Sequence, residues 1–182
     1  KDARPGAGWG LLDADGTPKA ALQALRRVWA PHAVVVSDDG LSGIRIDIHN
    51  DGPAAIRGCL TLAATDATGQ LVTEATRDIE VPAHSSLSVT DSHLSGVFRD
   101  LSHAFRFGPP TADAVEAVVR LADSATVLRD ALVVYPRGVQ VHTGLRAVAD
   151  QVDGTWELEV RSDVALRYVG VEAPGWQVSD NY

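Results

Sequence analysis

The chain has 182 residues, of which 45% are hydrophobic and 22% charged, and its formal net charge is −8 at pH 7. This length fits one large domain, or one complete and one partial domain. The acidic balance excludes the basic surface that nucleic acids and anionic membranes require. No apolar run approaches the roughly 18 residues of a membrane-spanning helix. The single cysteine, Cys59, excludes an internal disulfide framework, and we expect it to be a small core residue in a cytoplasmic protein.

The first predicted element is an amphipathic helix that begins with Thr17 as its cap and Pro18 as its first residue, and that ends before Pro31. Its apolar positions recur every three or four residues and form one stripe: Ala21, Leu22, Leu25, Val28 and Trp29. The opposite face is polar and carries Lys19, Gln23, Arg26 and Arg27. Because only a short lead rich in glycine and proline precedes this helix, we expect the surface that covers its apolar stripe to lie outside the chain.

From Ala33 onward the hydrophobic pattern changes to a period of two, which predicts strands. These strands fall near residues 34–36, 44–48, 58–66, 71–81, 86–90, 103–107, 115–122 and 126–134, with a short helical turn within residues 91–100. In the strand at 103–107 we expect Phe105 and Phe107 to point inward. Short strands at this spacing are typical of a β-sandwich, so residues 33–135 are predicted to form one immunoglobulin-like sandwich of about seven strands.

A domain boundary is predicted at Pro136–Gly138, and residues 136–182 then carry three or four further strands. They include residues 139–149, an alternating segment with Trp156 in the core, and residues 166–172. So few strands do not enclose a core of their own. They pack on the first sandwich, pair with strands beyond Tyr182, or pair with a second copy of the chain. We favour a partial second β-sandwich continued beyond Tyr182, with dimerisation through its open edge as a consequence.

The titratable residues give no pattern of a catalytic, metal or cofactor site. Each glutamate alternates outward in strand-like sequence: Glu74, Glu80, Glu116, Glu157, Glu159 and Glu172. The six histidines occur singly, without the spacing of metal ligands. We therefore predict no catalytic residue, no metal and no cofactor in this chain.

The first 31 residues resemble the last βα unit of the catalytic barrel of a family 2 glycoside hydrolase, most closely the β-mannosidases. The resemblance rests on Asp2-Ala-Arg-Pro5, Gly8-Trp9-Gly-Leu-Leu12, Asp13-Ala-Asp-Gly16-Thr-Pro18-Lys19 and Leu25-Arg-Arg-Val-Trp29. Later matches are Phe98-Arg-Asp100, Ala104-Phe-Arg-Phe-Gly-Pro-Pro110 and Val178-Ser-Asp-Asn-Tyr182. The chain departs from the family pattern with Arg4 where a tryptophan is common and Gly8 where a serine is common.

The resemblance implies an all-β chain in which residues 1–32 are the end of a (β/α)8 barrel and its last helix. The sandwich at 33–135 and the partial sandwich at 136–182 would buttress the barrel, which is the expected partner. The parent enzyme would release terminal β-D-mannosyl residues by the retaining mechanism, with both catalytic glutamates upstream. Asp2, Arg4 and Trp9 would lie in the loop after the eighth strand, at the rim of the sugar pocket, although for Trp9 we favour a loop-supporting role over stacking on a sugar.

Two other interpretations stay open. The chain is a stand-alone carbohydrate-binding or protein-interaction sandwich, in which Trp176, placed beside Gly175 in a predicted loop, stacks on a sugar ring. Alternatively, the parent has a different family 2 specificity, such as exo-β-glucosaminidase, because these residues do not include the part of the site that reads the sugar.

Overall fold

The computed structural model describes residues 1–6, 8–105, 107–134, 144–166, 168–176, 178–179 and 181. The elements in chain order are α1 (Ala20–Val28), β1 (His32–Asp38), a short 3₁₀ turn (Gly40–Ser42), β2 (Ile44–Asn50), β3 (Ile56–Thr65), β4 (Leu71–Val81), β5 (Ser85–Thr90), α2 (Asp91–Ser95), β6 (Ala114–Leu121), β7 (Val127–Val133), β8 (Arg146–Val152) and β9 (Thr155–Arg161). The expected all-β architecture with a preceding helix is confirmed.

Strands β1 to β7 form a sandwich of two antiparallel sheets, one with the order β1-β2-β5 and the other with the order β4-β3-β6-β7. The inward positions of β2 are Ile44, Ile46 and Ile48, and all three are completely buried. They pack in one core with apolar residues of the facing sheet, including Leu60 and Val119. The alternation in the sequence therefore identifies the core face of the sandwich.

Asn50, at the end of β2, joins the two sheets by side-chain hydrogen bonds. Its Nδ2 donates to the carbonyl oxygens of Ala54 at 2.8 Å, Val81 at 3.1 Å and Pro82 at 2.9 Å. Its Oδ1 accepts from the backbone N–H of Gly52 at 3.0 Å. The side chain is completely buried, so it fixes the β2–β3 turn against the end of β4.

Helix α1 begins later than the sequence predicts. Pro18 pairs with Leu12 in an isolated β-bridge, and the N–H of Lys19 donates to the carbonyl oxygen of Leu11 at 3.0 Å. The helix therefore starts at Ala20, and no side chain caps it. The prediction that Thr17 is the cap and Pro18 the first helical residue is wrong, because backbone pairing with the preceding segment holds both residues extended.

Helix α1 does not bury its apolar stripe as an amphipathic helix normally does. Gln23, on the polar face, is the buried residue of the helix. Val28 and Trp29, on the apolar face, are 49% and 70% exposed. Leu22 and Leu25 are half-buried. Gln23 thus lies toward the sandwich, Arg26 and Arg27 are exposed, and the end of the apolar stripe lies in solvent.

The segment from 103 to 107 is not a strand in the residues described, which contradicts the prediction. The carboxylate of Asp100 accepts hydrogen bonds from the backbone N–H groups of Ala104 at 2.8 Å and Phe105 at 3.0 Å, and these bonds turn the chain. Phe105 is 55% exposed and Phe107 is fully exposed. Phe105 contacts Phe98 edge-to-face at 5.5 Å instead of entering the core.

Cys59 is half-buried rather than a core residue. Its neighbour Leu60 takes the inward position of β3 and is completely buried. Because successive side chains of a strand alternate, Cys59 lies on the outer face of its sheet.

Beyond the sandwich, β8 and β9 form a two-stranded antiparallel hairpin. Its turn is Asp153-Gly154, and both residues have a positive φ, as the tight hairpin turn requires. Every residue of the two strands is exposed. Trp156, predicted as core, is 52% exposed, and the described part of residues 166–172 contains no strand. The predicted boundary at Pro136–Gly138 and the start of the predicted strand at 139–149 lie outside the described residues.

Candidate functional site

The N-terminal turn, residues 1–6 and 8–19, is held together around the carboxylate of Asp2. This carboxylate pairs with the ammonium group of Lys19 and accepts a hydrogen bond from the N–H of Gly10 at 2.7 Å. The backbone N–H of Asp2 donates to the carbonyl oxygen of Leu12 at 2.9 Å. Lys19 Nζ also donates to the carbonyl oxygen of Gly8 at 3.2 Å. These contacts place the chain start beside the residues that lead into α1.

Two glycines make room for the Asp2 carboxylate. A Cβ atom at Gly10 would lie 2.6 Å from Oδ1 of Asp2, and a Cβ atom at Gly8 would overlap the same carboxylate. A serine at position 8, the residue common in the resembled family, would therefore displace Asp2. The departure from the family pattern at Gly8 has a local structural reason in this chain.

The hydrogen bond from Lys19 and that from the backbone of Gly10 hold the pKa of the Asp2 carboxyl below its ordinary value. The side chain of Asp2 is 9% exposed. An ionised carboxylate whose oxygens are engaged within the turn stabilises that turn, and this contact is the role the geometry gives Asp2. Its predicted place at a sugar-pocket rim stays a prediction.

Arg4 and Trp9, the other predicted rim residues, project from the same turn. Arg4 is exposed, and the indole of Trp9 is fully exposed. Within the described chain Trp9 therefore does not support the loop by packing. The turn therefore exposes one guanidinium group, a hydrogen-bond donor, and one indole, an apolar ring with an N–H donor.

Trp176, the predicted sugar-stacking residue, is 65% exposed in its loop. It contacts Trp156 of β9 edge-to-face, with ring centroids 6.1 Å apart and an angle of 73° between the rings. The two indoles form an exposed corner at the hairpin. Trp156 was predicted to lie in a core because apolar and polar residues alternate around it. The alternation correctly places the apolar residues on one face of β9, but it does not show whether another surface covers that face.

The carboxylates of the six glutamates give no enclosed acid pair. All six residues are exposed. Glu80 pairs with Arg57 at 2.9 Å, and Glu159 pairs with Arg161 at 2.6 Å. Across the described ranges there is no group of three histidine, cysteine, aspartate or glutamate side chains placed to hold a metal. In the same part of the chain, no helix has the length and apolar character to cross a bilayer.

One cleft, which we call the α1 cleft, lies between α1, β1 and β7 and has a volume of about 380 Å³. Its polar lining residues are Gln23, Arg26, Arg27, His32, Arg129 and Ser179. Apolar residues of β1 and β7, among them Val34 and Leu128, complete the wall. The cleft is where the polar face of the helix meets the sandwich.

Comparison with known proteins identifies a fold. No protein-family model and no curated protein matches the sequence. The structure resembles the crystal structure of a β-D-mannosidase from Dictyoglomus thermophilum with a TM-score of 0.69 and 15% sequence identity, over 95% of this chain and 20% of that chain. The transglutaminase of red sea bream gives a TM-score of 0.38 at 12% identity, over 75% of this chain and 21% of that one, and this score supports no argument. The chain thus spans about a fifth of the mannosidase that it matches, and it shares the fold of that region.

Proposed function

We propose that this chain is the non-catalytic, C-terminal accessory β-sandwich region of a β-mannosidase-like retaining glycoside hydrolase of family 2. The observation that carries the proposal is the structural likeness to a β-D-mannosidase over 95% of the chain. The sequence motifs at the start, middle and end of the chain resemble the same enzymes and support it independently. In this proposal the parent enzyme releases terminal β-D-mannosyl residues, and the present chain buttresses its barrel.

The exposed part of the apolar stripe of α1 supports the proposal that a barrel packs on this helix. Burial of one large apolar side chain contributes about 1.5–3 kcal/mol, and Trp29 and Val28 leave much of that contribution unused. A helix normally covers its apolar stripe, so the stripe is explained if a barrel packs on it. Trp9, fully exposed on the adjoining turn, belongs to the same surface in this proposal.

The distribution of carboxylates supports a non-catalytic role for this region. Retaining hydrolysis needs two carboxyl groups about 5 Å apart, one as the acid and base and one as the nucleophile. The glutamates here are exposed, and two of them pair with arginines. In this proposal both catalytic glutamates lie upstream of Lys1.

The test is to clone the coding region upstream of Lys1 and to compare the longer protein with the 182-residue chain. We expect the longer protein to hydrolyse p-nitrophenyl β-D-mannoside with retention, and the short chain to be inactive. p-Nitrophenyl β-D-glucosaminide distinguishes the exo-β-glucosaminidase alternative. A longer protein without any glycosidase activity would contradict the proposal.

Trp29→Ala tests the interface within the same pair of proteins. Because Trp29 is exposed here, its replacement should change the stability of the short chain by no more than about 0.5 kcal/mol. In the longer protein it should lower stability by about 3 kcal/mol or more, since a buried tryptophan is then removed. Phe107→Ala, which removes another exposed ring, is the matched control. Equal effects of Trp29→Ala in both proteins would count against barrel packing.

The Trp156–Trp176 corner favours a second candidate, a carbohydrate-binding module. Exposed indoles stack on sugar rings, and two indoles at 73° offer one face and one edge. Calorimetric titration of the 182-residue chain with mannose oligosaccharides tests this candidate. Millimolar or tighter binding that is lost in Trp176→Ala and kept in Phe107→Ala would support it, whereas heats indistinguishable from dilution would exclude it.

The open edges of β8 and β9 support our further proposal of a homodimer. A two-stranded hairpin has unpaired backbone groups on both sides, and among the described residues each strand of this hairpin has one open edge. Sedimentation of the chain over a range of concentrations tests the proposal, and a monomer at all concentrations would contradict it.

A further inference from the structure

The α1 cleft has an unusual charge for this protein. The chain has a formal net charge of −8, yet the residues that line the cleft include Arg26, Arg27 and Arg129 together with His32, and the described lining residues include no carboxylate. Clefts lined by one sign of charge concentrate the electrostatic field and attract ions of the opposite sign. The three arginines come from two separate elements, α1 and β7, and the fold therefore brings them together.

Gln23 adds a neutral donor to this group. Its side chain is 8% exposed, and its Oε1 accepts a hydrogen bond of 3.4 Å from Nη1 of Arg26. Within the described ranges this long bond is the sole side-chain hydrogen bond of Gln23. Nε2 of Gln23 is not among the buried side-chain atoms that lack a partner, and it can donate a hydrogen bond to an acceptor bound in the cleft.

The carboxylate of β7 attracts Arg27 and is hydrogen-bonded to the backbone of β1. Asp130, next to Arg129, accepts a hydrogen bond from the backbone N–H of Val36 at 2.7 Å. Arg27 Nη2 donates to the carbonyl oxygen of Asn181 at 3.1 Å. No ion pair joins Arg26 or Arg129 to a carboxylate in the part of the chain that the structure describes.

We propose that the α1 cleft is a binding site for a small molecule that carries an oxyanion, either a carboxylate or a phosphate. Guanidinium groups bind both anions through paired N–H donors, and the amide of Gln23 supplies a further donor. The apolar wall that includes Val34 and Leu128 accommodates the carbon part of the ligand. A volume of about 380 Å³ falls within the size of small-molecule sites.

The test is calorimetric titration of the 182-residue chain at constant ionic strength. Inorganic phosphate tests whether the cleft binds a phosphate, and glucuronate tests whether it binds a carboxylate. Glucose is the neutral control. We expect one or both anions to bind and glucose not to bind. Arg26→Gln and Arg129→Gln should each weaken binding by about tenfold to a hundredfold, because each removes charged hydrogen bonds.

Arg57→Gln is the matched control, since Arg57 is an exposed arginine on β3 that pairs with Glu80 outside the cleft. It should leave binding within about twofold of that of the unaltered chain, because Arg57 does not line the cleft. Urea denaturation of each variant confirms that it folds. Equal losses of anion affinity in Arg57→Gln and in the cleft variants would overturn the proposal, since nonspecific attraction of the anion to positive charge would then explain the binding.

A carboxylate of the chain itself is the competing occupant. Asp180 stands in the sequence between Ser179, which lines the cleft, and Asn181, which accepts from Arg27. Asp180→Asn distinguishes the two cases. Binding by the unaltered chain supports the proposal, and binding by Asp180→Asn alone overturns it, because the chain would then fill its own cleft. Absence of binding in both proteins also overturns it.

Discussion

Replacement of Asn50 by alanine should strongly destabilise the sandwich. The side chain makes four hydrogen bonds, and two of them, from Nδ2 to the Val81 carbonyl and from the Gly52 N–H to Oδ1, are fully buried. The other two acceptors, on Ala54 and Pro82, are partly buried and can regain water. Because a buried group that loses its partner costs about 1–3 kcal/mol, two such groups predict a loss of about 2–6 kcal/mol.

That loss is a large part of the stability of a domain, which is about 5–15 kcal/mol. Urea denaturation followed by far-ultraviolet circular dichroism measures it, and the melting temperature should fall by at least about 8 °C. Gln151→Ala removes an exposed amide from β8 and should change stability by no more than about 0.5 kcal/mol. A loss below about 1 kcal/mol for Asn50→Ala would refute the reasoning, because the four bonds would then be replaced by water at little cost.

Three further changes test other contacts. Gly58→Ala should destabilise the sandwich by about 1–3 kcal/mol in the same urea assay, because the new methyl group would overlap the carbonyl oxygen of Arg120 on β6; an unchanged midpoint would contradict this. Burial raises the pKa of Asp130, and the hydrogen bond from Val36 opposes this rise. Asp130 therefore binds a proton more readily in the folded chain than in the unfolded chain. As the pH falls from about 7 to about 4, the chain should gain stability relative to Asp130→Asn. A constant difference between these two proteins across that range would exclude the effect. Asp2→Asn should speed proteolysis within the N-terminal turn and leave the melting of the sandwich unchanged, because the carboxylate holds only that turn; equal cleavage of both proteins would show that the ion pair with Lys19 is dispensable.

The strands of the sandwich were predictable because their burial follows a local pattern. Ile44, Ile46 and Ile48 alternate with polar residues, and one face of β2 is completely buried. The limits of β4 at Leu71–Val81 also agree with the sequence, since a turn bounds one end and Pro82 the other. Where one face of a strand packs on a core, the period alone fixes which residues point inward.

The errors occur where a contact distant in sequence, or a side chain, redirects the backbone. Phe105 and Phe107 have the spacing of an inward face, but the Asp100 carboxylate accepts hydrogen bonds from the N–H groups of Ala104 and Phe105, and these bonds turn the chain outward. Pro18 has the preference of a first helical residue, but its bridge to Leu12 holds it extended. The hydropathy pattern of the sequence does not predict either of these interactions.

The sequence predicted Asp2, Arg4 and Trp9 as rim residues of a sugar pocket, and that role stays a prediction. It also predicted that the apolar stripe of α1 would be uncovered within this chain, and Val28 and Trp29 are exposed. It did not indicate that Asp2 is engaged by Lys19, or that Gln23 and the arginines of α1 face the sandwich. Amphipathicity divides a helix into two faces, and the choice between them depends on which surfaces are present.

The hydrogen bond between Val36 and Asp130 affects how this protein behaves at high concentration. β1 is the outer strand of its sheet, and its Val36 N–H is occupied by an aspartate of the other sheet. A neighbouring molecule that tried to add a strand there would have to displace a charged acceptor, so this edge resists aggregation. Among the described residues, no charged side chain occupies an edge N–H group of β8 or β9 in this way. The exposed apolar positions of these strands include Leu158 and Val160. Precipitation of the concentrated protein should therefore start at the hairpin, and a single lysine placed on its apolar face should raise solubility more than the same change on β1.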